Sequence, residues 1–320
     1  GGVPAGNSDD SKGTLDGDLL PDKMMSELAF ATKESREINA SVLQGLVQLM
    51  TNGAAEKRRK ATIALCNLCC ESEMNRKNAG DAGAVPVLVE MMDEGNPDQH
   101  LRRLATACIC NLSADPPLKD SIMRSGAIPH LSRLLTPVED SRDARAATAH
   151  AAATLWSLCV DMDHIKPAVA EISTLAALLK LLESQDSFVR GQACGCVGEV
   201  CIGNREIKGR LSELGVIPIL IAVLGEAEPS IQRLAASALC NLSANHDHNK
   251  RLCREAGLID ALITLLARTE DESVQSAAAG GLYNLVTPDD VDRLTSSGVI
   301  QVLRRVPISK NINVRLGLPA

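Results

Sequence analysis

Aromatic residues are nearly absent from this chain of 320 residues, which holds one tryptophan (Trp156), one tyrosine (Tyr283) and two phenylalanines (Phe30 and Phe188). A core must therefore be assembled from Leu, Ile, Val, Ala and Cys, and few flat faces exist on which a nucleobase could stack. Positive charge is not in excess either. A formal net charge of -7 gives no electrostatic attraction for a phosphate backbone, so nucleic acid is not an expected partner. No apolar run approaches the roughly 18 residues that cross a bilayer, and no signal-peptide pattern opens the chain. A glycine-rich phosphate cradle, a nucleophile elbow and paired catalytic carboxylates are also missing. No catalytic residue, cofactor or small-molecule substrate is expected.

Cysteine, in contrast, is plentiful, with eleven residues. Ten of them, from Cys66 to Cys240, fall in Ala- and Leu-rich helical segments where a small apolar side chain is wanted, which points to a reducing compartment rather than to disulfides. Cys66-x-x-Cys69 has no second pair, and His246-Asp-His248 has no obvious third ligand, so packing and a polar connector are the expected roles and no metal site is expected.

Self-similarity decides the architecture. Ala238-Leu-Cys-Asn-Leu-Ser243 has near copies at Ala64-Leu-Cys-Asn-Leu68, Cys108-Ile-Cys-Asn-Leu-Ser113 and Gly281-Leu-Tyr-Asn-Leu285. The aligned positions are Asn67, Asn111, Ser157, Glu199, Asn241 and Asn284, spaced by 44, 46, 42, 42 and 43 residues. That period belongs to stacked helical units, which bury apolar surface between neighbours and need no single large core. A second phrase runs out of phase with the first: Gly83-Ala-Val-Pro, Gly126-Ala-Ile-Pro and Gly215-Val-Ile-Pro, with looser copies at Gly257 and Gly298. Glycine ends one helix where a Cβ would obstruct the turn, and proline stands at the start of the next, where its missing amide hydrogen has no helical partner to lose. In one unit Ser173 and Ala176 stand where Gly and Pro recur, and a looser corner is expected there.

These two interlocking phrases resemble the armadillo repeat family, over roughly Lys33 to the end of the chain. Within it the stretch from Glu56 to Val89, with Asn75-Arg-Lys77, is most similar to the vacuolar scaffold, plant and apicomplexan branches and less similar to importin-α. The resemblance implies an all-α, right-handed solenoid of about six full repeats and a partial one. The expected organisation is a flexible leader at 1–24, whose opening glycines read as a cloning remnant, and a repeat domain at 25–320 with units at 33–75, 76–117, 118–160, 161–202, 203–245, 246–287 and 288–320. Asn313-Val-Arg-Leu-Gly-Leu318 reads as a third helix that stops early, and the natural protein is expected to be longer at one or both ends.

In this family the third helices line a concave groove. Residues 4, 7 and 11 before each aligned position fall within about 40° of it on a helix and share its face. The expected peptide-binding row is therefore Asn67, Asn111, Ser157, Glu199, Asn241 and Asn284, together with Lys60, His100, His150 and Gln192. An asparagine amide offers a donor and an acceptor, which can pair with one peptide unit of an extended partner. Where importin-α carries tryptophan, four residues before the Asn, this chain has Ile63, Ala107, Ala153, Gly195, Ser237 and Gly280, so recognition of nuclear localisation signals is not expected. With Ser157 and Glu199 interrupting the row, peptide grip is expected to be weakest in the middle. Arg59, Arg103 and Arg233 lie eight residues before an Asn, about 80° round the helix, and form a basic flank. Such a flank suits an acidic or phosphorylated extended segment.

The expected function is a non-catalytic scaffold or adaptor in the cytoplasm that binds other proteins through extended peptide segments. Two alternatives stand beside it. One is a membrane-tethered organelle adaptor with an acylated N-terminus, a lipid anchor being its sole membrane contact and an upstream Met-Gly its sign. The other is the substrate-recognition part of a ubiquitin ligase.

Overall fold

The computed structural model describes residues 38–138 and 140–304. A helix pair, α1 (Ala40–Asn52) and α2 (Ala55–Glu71), comes first, and five triplets follow. They are α3 (Glu73–Asp81), α4 (Ala84–Met91) and α5 (Gln99–Leu112); α6 (Pro116–Arg124), α7 (Ala127–Leu134) and α8 (Arg142–Cys159); and α9 (Lys166–Val169), α10 (Ile172–Leu182) and α11 (Ser187–Val200). The last two are α12 (Arg205–Glu213), α13 (Val216–Val223) and α14 (Pro229–Ser243), then α15 (Asp247–Glu255), α16 (Leu258–Arg268) and α17 (Glu272–Leu285). A 3-10 turn at Pro288–Asp290, α18 (Val291–Ser296) and α19 (Val299–Leu303) begin another unit. The chain is an all-α solenoid. The leader at 1–24 and the segment from Asn313 to Leu318 lie outside the described residues.

Local chemistry sets each boundary. Ser72, Asp98, Ser141, Asp186, Asn204 and Asp271 each accept an N–H from the first turn of the helix they precede, satisfying donors that have no partner within the helix. The borders expected after residues 75 and 117 fall instead inside α3 and α6, because the caps at Ser72 and Asp115 start those helices earlier. Sharp corners between first and second helices sit at Gly83, Gly126, Gly215, Gly257 and Gly298, with φ from +72° to +82°. L-residues with a Cβ rarely adopt that backbone. The unit without this glycine turns differently: α9 has only four residues, Glu171 leads into α10 with φ -61°, and α10 runs to eleven residues, so Ser173 and Ala176 are inside the helix.

The third helices α2, α5, α8, α11, α14 and α17 pack side by side in chain order. Small residues let them approach closely. A Cβ added to Gly198 of α11 would lie 3.2 Å from the Ala238 backbone of α14. Buried Leu, Ala, Val and Cys from every unit merge into one continuous apolar core, so each added unit covers apolar surface left by the one before.

Polar side chains seal the ends of the third helices. Asn75 Nδ2 donates to Leu68 O at 3.0 Å, and Asn249 Nδ2 repeats the arrangement with Leu242 O at 3.0 Å. Three buried lysines of first helices reach the end of the third helix of their own unit: Lys119 Nζ to Val160 O at 2.8 Å, Lys166 Nζ to Ile202 O at 3.4 Å, and Lys208 Nζ to Ala244 O at 2.7 Å. A cation there meets the negative end of the helix dipole and carbonyls that no helical amide can reach.

Replacing Lys208 with Met should cost about 2 kcal/mol, since a charged hydrogen bond and a dipole contact are lost together. The drop in denaturant midpoint measures it. A pH effect follows from His246, which is buried and whose Nδ1 accepts the Asn249 N–H at 3.2 Å as the cap of α15. Burial, with repulsion from Arg205 and Lys208, holds this imidazole below its ordinary value of 6.5. The folded chain disfavours the protonated ring, so its contribution is complete above that value and is lost as pH falls through the lower folded pKa. Thermal melts at neutral and mildly acidic pH should show this loss, and His246→Asn, which keeps a capping oxygen, should reduce it.

Candidate functional site

The aligned row runs along one partly open edge of the third helices, and most of it is stitched into the fold. Asn111 Nδ2 donates to Cys66 O at 3.0 Å and to Cys66 Sγ at 3.4 Å. Asn241 Nδ2 donates to Gly198 O at 3.0 Å, and Asn284 Nδ2 to Cys240 O at 2.9 Å. In all three the acceptor carbonyl belongs to the residue just before the aligned position of the preceding unit. Ser157 keeps a similar link, its Oγ donating to Ser113 O at 2.9 Å. Asn67 stands on the first third helix described and is fully exposed. One donor of Asn111, Asn241 and Asn284 is therefore committed to the neighbouring unit. Each of the three remains half-exposed, and its amide oxygen is a further acceptor.

Glu199 has its own reason to replace Asn. Its carboxylate lies 3.6 Å from the ammonium of Lys166, which is itself buried. A buried cation needs a counter-charge, and Glu199 adds to the one supplied by Asp163, whose Oδ1 lies 2.8 Å from the same ammonium.

Exposure is graded along the residues of this row. Glu56, Lys60, Ile63 and Asn67 are all exposed on α2, whereas Leu104 and Ala107 of α5 are nearly covered between His100 and Asn111. On α8, Ala146, His150, Ala153 and Ser157 are each half-buried. Burial and the nearby Arg103 charge hold the His150 imidazole below its ordinary value, favouring the neutral ring at pH 7. On α11 Phe188 is 57% exposed, an unusual position for one of four aromatic residues in the chain, and Gln192 is half-buried below it.

The basic flank is paired internally. Arg59 Nε lies 2.7 Å from Asp98 Oδ2 and Arg103 Nε 2.7 Å from Asp143 Oδ1, in each case an acid at the start of the next third helix. Arg190 joins Glu226 in the same way at 2.9 Å. Asp98 shows the effect: burial alone would raise its pKa, but the Leu101 N–H and the Arg59 guanidinium hold it below the ordinary carboxylate range. Arg233 is half-buried and close enough to Asp271 to help lower that carboxyl, behind the Ser273 and Val274 hydrogen bonds that contribute more.

Sequence reasoning passed over one constituent of this face. Trp156 precedes the aligned Ser157 on α8, and its indole lies across Gly195 of α11, where an added Cβ would come within 2.5 Å of the ring. Gly195 occupies the position four residues before Glu199, where importin-α carries its own tryptophan. Here the ring arrives from the neighbouring helix and the glycine makes room for it. The signal was present in the sequence, a lone Trp followed one period later by a Gly-rich helix, but it needed the packing of α8 on α11 to be seen. Gly195→Ala should displace the indole, destabilise the chain by about 1–3 kcal/mol through overpacking, and shift the emission of the sole tryptophan. An unchanged spectrum and melting temperature would contradict this contact.

With the geometry in place, comparison with known proteins is informative. The armadillo/beta-catenin-like repeat model matches residues 72–114, 204–244 and 246–287, three of the helix triplets described above. The chain is 37% identical over 114 residues to the splicing regulator ARVCF of Homo sapiens, covering 32% of this chain and 12% of that protein. It is 27% identical over 199 residues to importin subunit alpha-1b of Oryza sativa subsp. japonica, covering 60% and 35% respectively. It is 34% identical over 88 residues to U-box domain-containing protein 10 of Arabidopsis thaliana, covering 28% and 14%. The matched stretches thus span 12 to 35% of the length of these relatives. Among solved structures, the designed armadillo repeat protein YIII(Dq)4CqI superposes with a TM-score of 0.70 at 23% identity, over 76% of this chain and 100% of that one. A second designed armadillo repeat protein, in complex with the peptide (KR)4, has a TM-score of 0.69 at 21% identity, over 76% and 99%. Repeat spacing, glycine corners, helix triplets and these matches converge on an all-α solenoid built of armadillo repeats, which the family model matches at residues 72–114, 204–244 and 246–287.

Proposed function

We propose that this chain is a protein-binding scaffold whose row of third helices holds an extended segment of a partner protein. The observation that carries the reading is the arrangement of Asn111, Asn241 and Asn284. Each is anchored through its Nδ2 to the preceding unit, and each stays half-exposed, with an amide oxygen to offer a partner. Anchoring matters because a fixed amide loses little further side-chain entropy on binding. Packed helices stand roughly 8 to 10 Å apart, and an extended chain advances about 3.3 Å per residue. Successive amides then meet about every third residue of the ligand and read its main chain. The similar fold of a designed armadillo protein in complex with a peptide supports this mode.

The finer expectation, an acidic or phosphorylated segment on the first units, draws support from Lys60, whose side chain is 72% exposed. Arg59 and Arg103 already hold Asp98 and Asp143, so an incoming phosphate must compete with those carboxylates. Main-chain recognition by the asparagines is the primary source of grip in this proposal, and charge a secondary one. Eleven free thiols support a reducing compartment such as the cytosol as the place of action. Likeness to a U-box domain protein favours a second reading, substrate recognition within a ubiquitin ligase, through the same face.

Peptides selected by display on the purified chain provide the probe. In calorimetry, a selected peptide should lose roughly 30-fold in affinity for the Asn241→Ala/Asn284→Ala variant, at about 1 kcal/mol per amide. Circular dichroism of the variant verifies that the helices persist. Equal affinity for both proteins would rule out the asparagine row as the binding element.

A further inference from the structure

Most thiols in this protein are chemically quiet. Burial pushes Cys69, Cys194, Cys201 and Cys253 up to about 12, and a protonated, enclosed thiol is a poor nucleophile. Cys66 combines three features, of which Cys240, half-exposed and with its sulfur accepting from Asn284 Nδ2 at 3.3 Å, shares the first two. It is half-exposed beside Asn67 on the partner-facing edge of α2. Its sulfur accepts an N–H from Asn111 Nδ2 at 3.4 Å. It also faces the thiol of Cys108, a fully buried residue on the adjoining helix α5.

The Cys108 thiol hydrogen-bonds to the Cys66 sulfur and, with the charge of Arg103, holds Cys66 below the ordinary thiol value despite partial burial. The same contact, together with burial, raises Cys108. Of the two, Cys66 is half-exposed and Cys108 is enclosed, so only Cys66 can meet a reagent from solvent. An accessible sulfur with two hydrogen-bond donors, backed by a second thiol across a helix interface, has the layout of an attacking and a resolving cysteine.

We propose that Cys66 is a peroxide-reactive thiol and that Cys108 resolves it, forming a disulfide that ties the third helix of the first unit to that of the second. In the first step the Cys66 thiolate attacks one oxygen of hydrogen peroxide and the O–O bond breaks. Sulfur is oxidised to the sulfenic acid, and the departing hydroxide takes a proton to become water. In the second step the Cys108 sulfur attacks Cys66, the S–O bond breaks, and hydroxide leaves with the Cys108 proton as a second water. Two thiols and one peroxide give one disulfide and two waters. The new bond draws the Cys66 sulfur away from Asn111 and stiffens the joint between two units of the binding face, so the modification couples to the row of amides without being part of it.

Two controls are built into the fold. Cys159 on α8 and Cys196 on α11 form a matching thiol pair across adjacent units, but both are fully buried, so contact without access is represented. Cys70 is exposed on α2, so access with no resolving thiol against it is represented too.

The test is treatment of the purified, reduced chain with one equivalent of hydrogen peroxide, followed by peptide mapping without reductant. The expected product links Cys66 to Cys108, loses the mass of two hydrogen atoms and is reversed by dithiothreitol, while Cys70, Cys159 and Cys196 stay reduced. In Cys108→Ser, dimedone should trap a sulfenic acid at Cys66. A second measurement needs no variant: limiting iodoacetamide on the native chain should modify Cys66 about tenfold faster than Cys70. Oxidation that begins at Cys70, or alkylation of Cys66 no faster than that of Cys70, overturns the proposal. So does a Cys66 that remains reduced while other thiols react.

Discussion

Each unit of this protein must present its third helix to the next at one fixed register, and the remaining structure depends on that contact. The interface is built from Ala, Gly and Cys, small enough for backbones to come close, as where Gly198 meets Ala238. Small side chains pack densely but specify sliding poorly, because one Ala resembles another. Directional bonds across the interface supply what packing alone does not. The amides of Asn111, Asn241 and Asn284 and the hydroxyl of Ser157 each find a carbonyl of the previous unit, and each has that one partner only at the observed register.

A second set of polar contacts works at the two ends of the same helices. Lys119, Lys166 and Lys208 sit in first helices and terminate the third helix of their own unit. Arg59, Arg103 and Arg190 bind acids near the start of, or just ahead of, the following third helix. The third helices are thus held by charge at both ends, from the preceding unit at the start and from the first helix of the same unit at the finish. The cations that look in the sequence like a surface for an acidic ligand are largely consumed in holding units together. This division leaves the edge between the two charged ends comparatively neutral, occupied by amides, small residues and the indole of Trp156 over Gly195.

Architecture was legible in the sequence to an unusual degree, because a solenoid repeats its instructions. Glycine at 83, 126, 215, 257 and 298 marks corners that the structure realises with left-handed backbone at each one. Unit borders were less legible at Ser72, whose side chain caps its helix, and at Asp115, where prolines open the helix, each starting a few residues ahead of the recurring phrase. The aligned row of polar residues was legible as a row, since helical geometry places residues at that spacing on one face. The partners of its members were not. Asn111 and Cys66 are 45 residues apart, and no local pattern states which carbonyl an amide will find.

What the sequence by itself determined is the period, the helical triplets, the apolar stripe of each helix and the kinds of side chain at the exposed edge. These follow from local periodicity and backbone preference, which act within a few residues. Only the tertiary structure decided how those side chains are spent: Glu199 on a buried lysine, Arg59 and Arg103 on acids of the next unit, Trp156 on a glycine one unit away, and Cys66 against Cys108. Such pairings depend on the rotation and separation of adjacent units, set jointly by every contact in the interface.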